Sequence, residues 1–326
     1  MTILVAPDSF KGTYSALQVA EAISAGIRDC GGSALPLPVA DGGEGTFDAL
    51  CHSLGAVPIA VQVQNAWGEP VDATIGLAPD GTAVVEVAQA SGLTTGRTNP
   101  ADSLSASTYG TGMLIAAAID HEARHILVAA GGSATTDGGQ GAVQAINDRG
   151  GLRGARITIL SDVTTSFLDA PKVFGPQKGA DPMTVAILEE RLRRLASGYP
   201  RNPHAVPRSG AAGGLSGGLW AHFDADLLSG ADFVLNAAGF DRHLETASAV
   251  VVGEGRLDSQ TGEGKIISAI LARVQQCGRS IPVLAIVGSV SNDLGPYAQN
   301  FERILTATDT AAMFAAGKSV ARHLDN

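Results

Sequence analysis

The chain has few cysteines and few charged residues for its length. Three cysteines stand among 326 residues, without a C-x-x-C pair, which excludes a secreted disulfide scaffold and predicts a reducing, cytoplasmic location. Only 17% of the residues are charged and 45% are hydrophobic, so a disordered chain is excluded. Every apolar run is far shorter than the roughly 20 residues of a membrane span, and the run at the N-terminus is too short for a signal peptide. We therefore expect a soluble protein with a large core.

Positive charge is scarce as well, since 22 basic residues face 32 acidic ones and the net charge is −10. This balance argues against nucleic acid and anionic membranes as partners. It predicts small-molecule partners, which a local group of basic residues would hold in an otherwise acidic protein. The 41 glycines lack the period of collagen and alternate with apolar runs, which favours an α/β fold with many tight loops.

The hydrophobic pattern divides the chain into two kinds of sheet. Residues 3–6, 249–253 and 283–288 are continuous apolar runs, typical of parallel strands covered on both faces, whereas residues 57–87 alternate like an antiparallel meander. The two ends of the chain therefore form one α/β domain around an inserted one. We predict a discontinuous domain over 1–58 and 235–326, and an inserted mixed α/β domain over 59–234. The loop-like stretch 197–218 predicts a domain edge.

The segment His121-Glu-Ala-Arg-His125 matches the H-E-x-x-H zinc pattern. Zinc chemistry requires both imidazoles on one face of a continuous helix. Here the helical pattern ends at Asp120 and a strand is predicted from Ile126, so we expect a solvated connection. A zinc hydrolase nevertheless stays the alternative from a different enzyme class.

Five loops combine glycine with Asp, Ser, Thr or Lys. Glycines expose backbone N–H groups to phosphate oxygens, lysines add positive charge, and carboxylates hold Mg²⁺ or accept a hydroxyl proton. Phosphoryl transfer needs little beyond such positioning, charge neutralisation and a base. The loops are Asp8–Gly12, Asp41–Gly45, Gly131–Gly139, Gln177–Gly179 and Gly253–Asp258.

At these loops the chain resembles the bacterial type I glycerate kinases, with the motifs in the order of that family over nearly the whole length. The motifs are Ala6-Pro-Asp-Ser-Phe-Lys-Gly12, Ala40-Asp-Gly-Gly-Glu-Gly-Thr46, Ala90-Ser-Gly-Leu93, Tyr109-Gly-Thr-Gly112, Gly131-Gly-Ser-Ala-Thr135, Phe174-Gly-Pro-Gln-Lys-Gly-Ala180, Gly210-Ala-Ala-Gly-Gly-Leu215 and Gly253-Glu-Gly-Arg-Leu-Asp-Ser-Gln-Thr261. The resemblance implies two unlike α/β domains, one Rossmann-like, with the active site in the cleft between them. It also implies ATP- and Mg²⁺-dependent phosphorylation of D-glycerate, commonly at the 2-hydroxyl.

Two departures from the family pattern support an alternative. The chain reads Asp162-Val-Thr-Thr-Ser-Phe167 where the family usually has Asp-Val-Thr-Asn-Pro-Leu, and Thr136 stands where an Asn is expected. The alternative is a catalytically altered relative that binds or phosphorylates a different small hydroxy acid. The sequence leaves the oligomeric state open and allows a homodimer.

The loops supply the candidate site residues, each of which could instead serve a turn, a cap or a solvated surface. Lys11 is assigned to phosphate or to the substrate carboxylate, and one of the aspartates is assigned to the base. The catalytic candidates are Asp8, Lys11, Asp41 and Asp162. The candidates for binding substrate or phosphate are Ser9, Gly42, Gly43, Ser133, Thr135, Asp137, Lys178 and Arg256. The metal candidates are Glu254, which could instead pair with Arg256, and Asp258.

Overall fold

The computed structural model describes residues 2–93, 97–258 and 266–325. The chain divides into two compact units. Unit 1 comprises Met1–Asp41, Asp48–Leu54 and Ala231–Asn326, and unit 2 comprises Gly42–Phe47 and Gly55–Gly230. The domain boundaries expected from sequence, at 58/59 and 234/235, stay a prediction.

The strands and helices are numbered in chain order. The strands are β1 (Thr2–Pro7), β2 (Ser33–Pro36), β3 (Val57–Gln64), β4 (Pro70–Leu77), β5 (Thr82–Glu86), β6 (His125–Ala129), β7 (Arg156–Ser161), β8 (Asp226–Ser229), β9 (Ala247–Leu257), β10 (Val283–Val290) and β11 (Arg303–Thr306). The α-helices are α1 (Ala16–Asp29), α2 (Thr46–Leu54), α3 (Ala88–Ser91), α4 (Pro100–Ser105), α5 (Tyr109–Asp120), α6 (Gln140–Asp148), α7 (Ala170–Phe174), α8 (Pro182–Gly198), α9 (Leu215–Phe223), α10 (Gly230–Ala237), α11 (Phe240–Leu244), α12 (Ile266–Gln276) and α13 (Thr310–Leu324). Within the described residues, none of these helices has the length and apolar content needed to cross a membrane.

Unit 1 is built on a parallel sheet with the strand order β11-β10-β9-β1-β2. The apolar runs of its central strands, residues 3–6, 249–253 and 283–287, are buried, as their sequence predicted. Helix α1 begins with a capping box in which Ser15 and Gln18 exchange hydrogen bonds. Helices α1 and α13 pack closely because Gly26 and Gly317 have no Cβ atom. A Cβ at either position would overlap the carbonyl of the facing helix.

The order of strands in this sheet reverses between β1 and β9. From β1 the chain proceeds to β2 on one side, whereas β9, β10 and β11 follow one another on the other side. In open parallel sheets, the crevice at the carboxyl ends of the strands beside such a reversal is the usual place for a ligand. Segments that follow β1 and β9 are therefore well placed to bind one.

Unit 2 has a mixed sheet with the order β3-β4-β5-β6-β7-β8. The pairs β3–β4 and β4–β5 are antiparallel, and the pairs from β5 to β8 are parallel. This arrangement confirms the predicted meander and the prediction of two unlike α/β sheets. Helices α5, α6 and α9 contribute apolar side chains, among them Leu114, Ile146 and Leu219, to the same core as the apolar side chains of the sheet.

The stretch 197–218 was predicted to be a loop at a domain edge, and the structure corrects this. The whole stretch lies within unit 2, and α9 begins at Leu215. A Cβ at Gly213, whose φ is +64°, would overlap the carbonyl of Thr135. The glycines therefore allow close packing of two loops and do not mark a linker.

The H-E-x-x-H segment does not form one helical face. Helix α5 ends at Asp120, Glu122 has a left-handed φ of 63°, and β6 begins at His125. The ring of His125 is engaged at both nitrogens, with Nε2 2.8 Å from the Thr158 hydroxyl and Nδ1 accepting from Arg156. These positions break the geometry that the zinc alternative requires.

Candidate active site

Unit 1 contains a cavity of about 570 Å³ at the carboxyl ends of β1, β9 and β10. It lies beside the strand reversal between β1 and β9. The cavity brings together seven of the predicted site residues and adds three polar residues that the sequence reasoning missed. The predicted lining residues are Asp8, Ser9, Lys11, Asp41, Glu254, Arg256 and Asp258, and the added ones are Thr13, Ser289 and Thr308.

The loop after β1 is held by backbone hydrogen bonds on both sides. The Asp8 N–H donates to the Gly253 carbonyl at 2.8 Å, and the N–H groups of Thr13 and Tyr14 both donate to the Phe10 carbonyl. Gly12 takes the third position of this turn with a φ of +75°, a conformation that glycine adopts without strain. The turn places the exposed Lys11 at its tip beside the cavity.

Two buried carboxyl groups, Asp8 and Asp41, line the cavity. Their exposed fractions are 6% and 5%. Burial, and next the negative charge of Asp41, raise the pKa of Asp8 to about 8, although the Ser9 N–H and Lys11 act in the opposite direction. Asp8 therefore keeps its proton at neutral pH, and the two carboxyls present a hydrogen-bond donor beside an acceptor.

The Ser9 side chain is buried with no partner. Ser9 is 7% exposed, and its Oγ makes no hydrogen bond to any described residue. Its own N–H donates to Asp8 Oδ1 at 2.6 Å. A buried hydroxyl without a partner is unfavourable, so its position in a cavity wall indicates a site for a polar ligand atom.

Strand β9 extends past the end of β1, and its extension also lines the cavity. Arg256 pairs in register with Ser289 of β10, and a Cβ at Gly255 would lie 3.5 Å from the Phe10 Cα. The turn after β1 therefore lies against β9 at Gly255. Within residues 2–93, 97–258 and 266–325, neither Lys11 nor Arg256 forms an ion pair. Residues 259–261, the end of the β9 motif, lie outside the described residues.

The metal candidates, Glu254 and Asp258, line this same cavity. Among the described residues, no group of three His, Cys, Asp or Glu side chains is arranged to hold a metal ion. Mg²⁺ in phosphoryl-transfer sites is commonly bound by one or two carboxylates together with phosphate oxygens and water. Two carboxylates on one wall suit that mode of binding.

Unit 2 gathers a second group of predicted residues at the carboxyl edge of its parallel strands. A Cβ at Gly42 would lie 3.0 Å from the backbone of Ser161, the last residue of β7, and a Cβ at Gly131 would overlap the backbone of Gly43. Asp162 follows β7 directly and is half-buried. The Gly42 N–H already donates to the Thr46 hydroxyl at 3.1 Å. Glu86, the last residue of β5, shares this edge.

Lys178, a candidate cation for an acidic substrate, directs its amine into unit 2. Its Nζ donates to Ser133 Oγ at 3.1 Å and to the Thr135 carbonyl at 2.6 Å. Its backbone carbonyl accepts from the Ser103 hydroxyl. Burial lowers the pKa of Lys178 to about 7, while the Asp137 carboxylate has a smaller opposite effect.

The Asp137 carboxylate holds the loop before α6 in place by accepting hydrogen bonds from that loop and from Thr108. Oδ2 accepts from the Thr108 N–H and hydroxyl, both at 2.8 Å, and from the Gly141 N–H at 3.2 Å, while Oδ1 accepts from the Gly139 N–H. These contacts correspond to the capping alternative stated for this carboxylate. Thr135 is fully buried, and its hydroxyl is 3.4 Å from the Ala212 carbonyl that accepts from it.

The residues missed by the sequence reasoning carried a usable signal. Ser289 and Thr308 stand at or just after the carboxyl ends of β10 and β11, and Glu86 ends β5. Since the carboxyl ends of parallel strands meet at one edge, every polar residue that closes such a run is a site candidate.

The parallel sheet and the cavity at its strand reversal define an α/β enzyme whose site suits a small polar anion. The model of the Glycerate kinase family matches residues 3–150 and 149–324. The chain belongs to the glycerate kinase family.

Similar proteins with assigned activities extend over most of this chain. It is 38% identical to a glycerate kinase of Bacillus subtilis (strain 168), over 90% of this chain and 86% of that protein. It is 35% identical to a glycerate 2-kinase of Escherichia coli (strain K12), over 92% of this chain and 88% of that protein. A crystal structure assigned as glycerate kinase 2 from Salmonella typhimurium LT2 matches with a TM-score of 0.85 and 32% identity, covering 100% of this chain and 98% of that one.

Proposed function

We propose that this protein transfers the γ-phosphoryl group of ATP to the 2-hydroxyl of D-glycerate, forming 2-phosphoglycerate and ADP. The observation that carries the proposal is the pair of buried carboxyls, Asp8 and Asp41, beside Lys11 and Arg256 in one cavity of a glycerate kinase family member. The pair can orient and deprotonate an alcohol, and the cations can hold an acidic substrate.

The proposed reaction is an in-line displacement. The hydroxyl oxygen of the acceptor forms a bond to the γ-phosphorus, and the bond from that phosphorus to the β,γ-bridging oxygen breaks as ADP leaves. The hydroxyl proton passes to a carboxylate, for which Asp41 is our choice because Asp8 already holds a proton at neutral pH. Asp162 stays a further candidate. Mg²⁺, for which Glu254 and Asp258 are the proposed ligands, would neutralise charge developing on the phosphate oxygens.

The roles of the unit 2 residues follow from their contacts. The backbone of Gly42 and Gly43 and the Ser133 hydroxyl are proposed to meet phosphate oxygens at the carboxyl edge of β6 and β7. Lys178, Thr135 and Asp137 are proposed to support that loop from within, since their polar atoms are bound internally.

The alternatives are not favoured. Curated glycerate kinases align over 86% and 88% of their own lengths despite the departures at Thr136 and after Asp162, which speaks against an altered relative. The interrupted helix at His121 speaks against a zinc hydrolase. We further propose a cytoplasmic enzyme whose partners are small molecules, with neither nucleic acid nor membrane among them.

The proposal is tested by measuring ADP release from ATP and Mg²⁺ with D-glycerate, L-glycerate, glycolate and tartronate, and by identifying the product with phosphorus NMR. We expect turnover on D-glycerate and a 2-phosphate resonance. A 3-phosphate product would refute the regiochemistry alone. Folded protein that is silent with every acceptor would refute the kinase assignment.

A further inference from the structure

We propose that the unit 1 cavity is the acceptor subsite. It binds a small hydroxy acid, with Ser9, Lys11 and Arg256 holding the carboxylate and the Asp8–Asp41 pair holding the hydroxyl. The nucleotide binds outside this cavity except for its γ-phosphate, which reaches the acceptor hydroxyl. The inference rests on the proposed function, because it divides the two substrates of that reaction between different groups of residues.

The charge of the cavity selects between the two substrates. Four carboxyl groups line it, two of them buried, against two cations. A nucleoside triphosphate brings three or four negative charges, more than one Mg²⁺ neutralises, and repulsion from carboxylates grows as the site excludes water. A hydroxy acid brings a single negative charge, which Lys11 and Arg256 can balance.

The buried carboxyl pair matches an alcohol. A hydroxyl group both donates and accepts a hydrogen bond, whereas phosphate oxygens without a proton only accept. Two buried carboxyl groups that line one cavity and share one proton supply a donor and an acceptor together. An alcohol between them has both partners satisfied.

The Ser9 hydroxyl is the second, independent sign of a ligand. It is 93% buried, lines the cavity and makes no hydrogen bond within the described part of the chain. Lys11 stands two residues further along on the turn tip, and Arg256 projects from the facing strand extension. One hydroxyl and two cations around a common space are a suitable set of donors for a carboxylate.

Binding measurements with each substrate alone test the division. Calorimetry is run on wild type, Ser9→Ala and Lys11→Met with D-glycerate, and separately with the non-hydrolysable analogue AMP-PNP and Mg²⁺. We expect each substitution to weaken D-glycerate about tenfold or more and to change the AMP-PNP affinity less than twofold. Kinetically, KM for D-glycerate rises while KM for ATP is unchanged.

Ser24→Ala is the matched control. Ser24 lies in α1, is fully buried with an Oγ that lacks a described partner, and does not line the cavity. Its substitution should leave both affinities unchanged. Because Lys11 is exposed on a turn tip, Lys11→Met keeps the test decisive even if Ser9→Ala reduces folding.

Each outcome has a separate meaning. Loss of AMP-PNP affinity with intact D-glycerate binding in both variants would overturn the proposal and assign the cavity to the nucleotide. Equal losses for both ligands would also refute the division. Selective loss of D-glycerate binding would support the subsite even if wild type transferred no phosphate, an outcome that would refute only the proposed reaction.

Discussion

Lys178→Met should remove a pH dependence from the stability of unit 2. The lysine is buried and donates to Ser133 and to the Thr135 carbonyl. Methionine keeps most of the apolar stem and removes the titrating amine. Loss of the two hydrogen bonds should contribute about 1–3 kcal/mol of destabilisation, since two buried acceptors lose their donor. The titration of the amine adds a second contribution that changes with pH.

The pH dependence follows from the lowered pKa. Lys178 has a pKa of about 7 in the folded protein, against 10.5 for an ordinary lysine. Between these values the unfolded chain holds a proton that the folded chain has released, so stability rises with pH. One proton corresponds to about 1.4 kcal/mol per pH unit, and because the folded chain still holds about half a proton at pH 7, the change between pH 7 and pH 9 is roughly 2.3 kcal/mol. Other groups cancel in the difference between wild type and variant.

Urea unfolding followed by tryptophan fluorescence measures this difference. Both tryptophans, Trp67 and Trp220, lie in unit 2, so the signal reports that unit. The stability difference between wild type and Lys178→Met should grow steadily from pH 7 to pH 9. Lys172→Met, at an exposed lysine of α7, controls for the loss of a charge. A difference that stays constant over this range would refute the reasoning about the buried amine.

Three further predictions concern catalysis and packing. Asp41→Asn should lower kcat/KM by about tenfold or more, because an amide cannot take the hydroxyl proton, and near wild-type rates with an unchanged circular dichroism spectrum would remove Asp41 as the base. In wild type, kcat/KM should fall about tenfold per unit above pH 8 as Asp8 loses its proton. Asp8→Asn keeps a hydrogen-bond donor and should abolish this fall in kcat/KM above pH 8. If the fall persists in the variant, a group other than Asp8 causes it. Gly213→Ala should lower the stability of unit 2 by about 2 kcal/mol or more, because its Cβ meets the Thr135 carbonyl at a φ of +64°; an unchanged Tm would show that the loop can move aside.

The sequence predicted most of the fold because the signals are local. The alternation of residues 57–87 gave the antiparallel pairs, and the continuous run 249–253 gave a central parallel strand. The Ser15–Gln18 capping box and the Asp181 N-cap before Pro182 are further local signals, and both stand at helix starts in the structure. Stretch 197–218 was misjudged because glycine marks a linker and a close approach of two loops equally well.

Residue type and motif order by themselves determined the family and the set of chemically capable residues. Which side chains face a ligand was decided by tertiary structure. The strand order brings Asp8 and Glu254 to one cavity although 246 positions separate them in the sequence. Lys178 and Arg256 are equivalent as sequence candidates, yet Lys178 donates inside unit 2 and Arg256 lines the cavity. The burial of Asp8, and with it the raised pKa of its carboxyl, depends on neighbours from distant parts of the chain. A local sequence pattern cannot predict these neighbours.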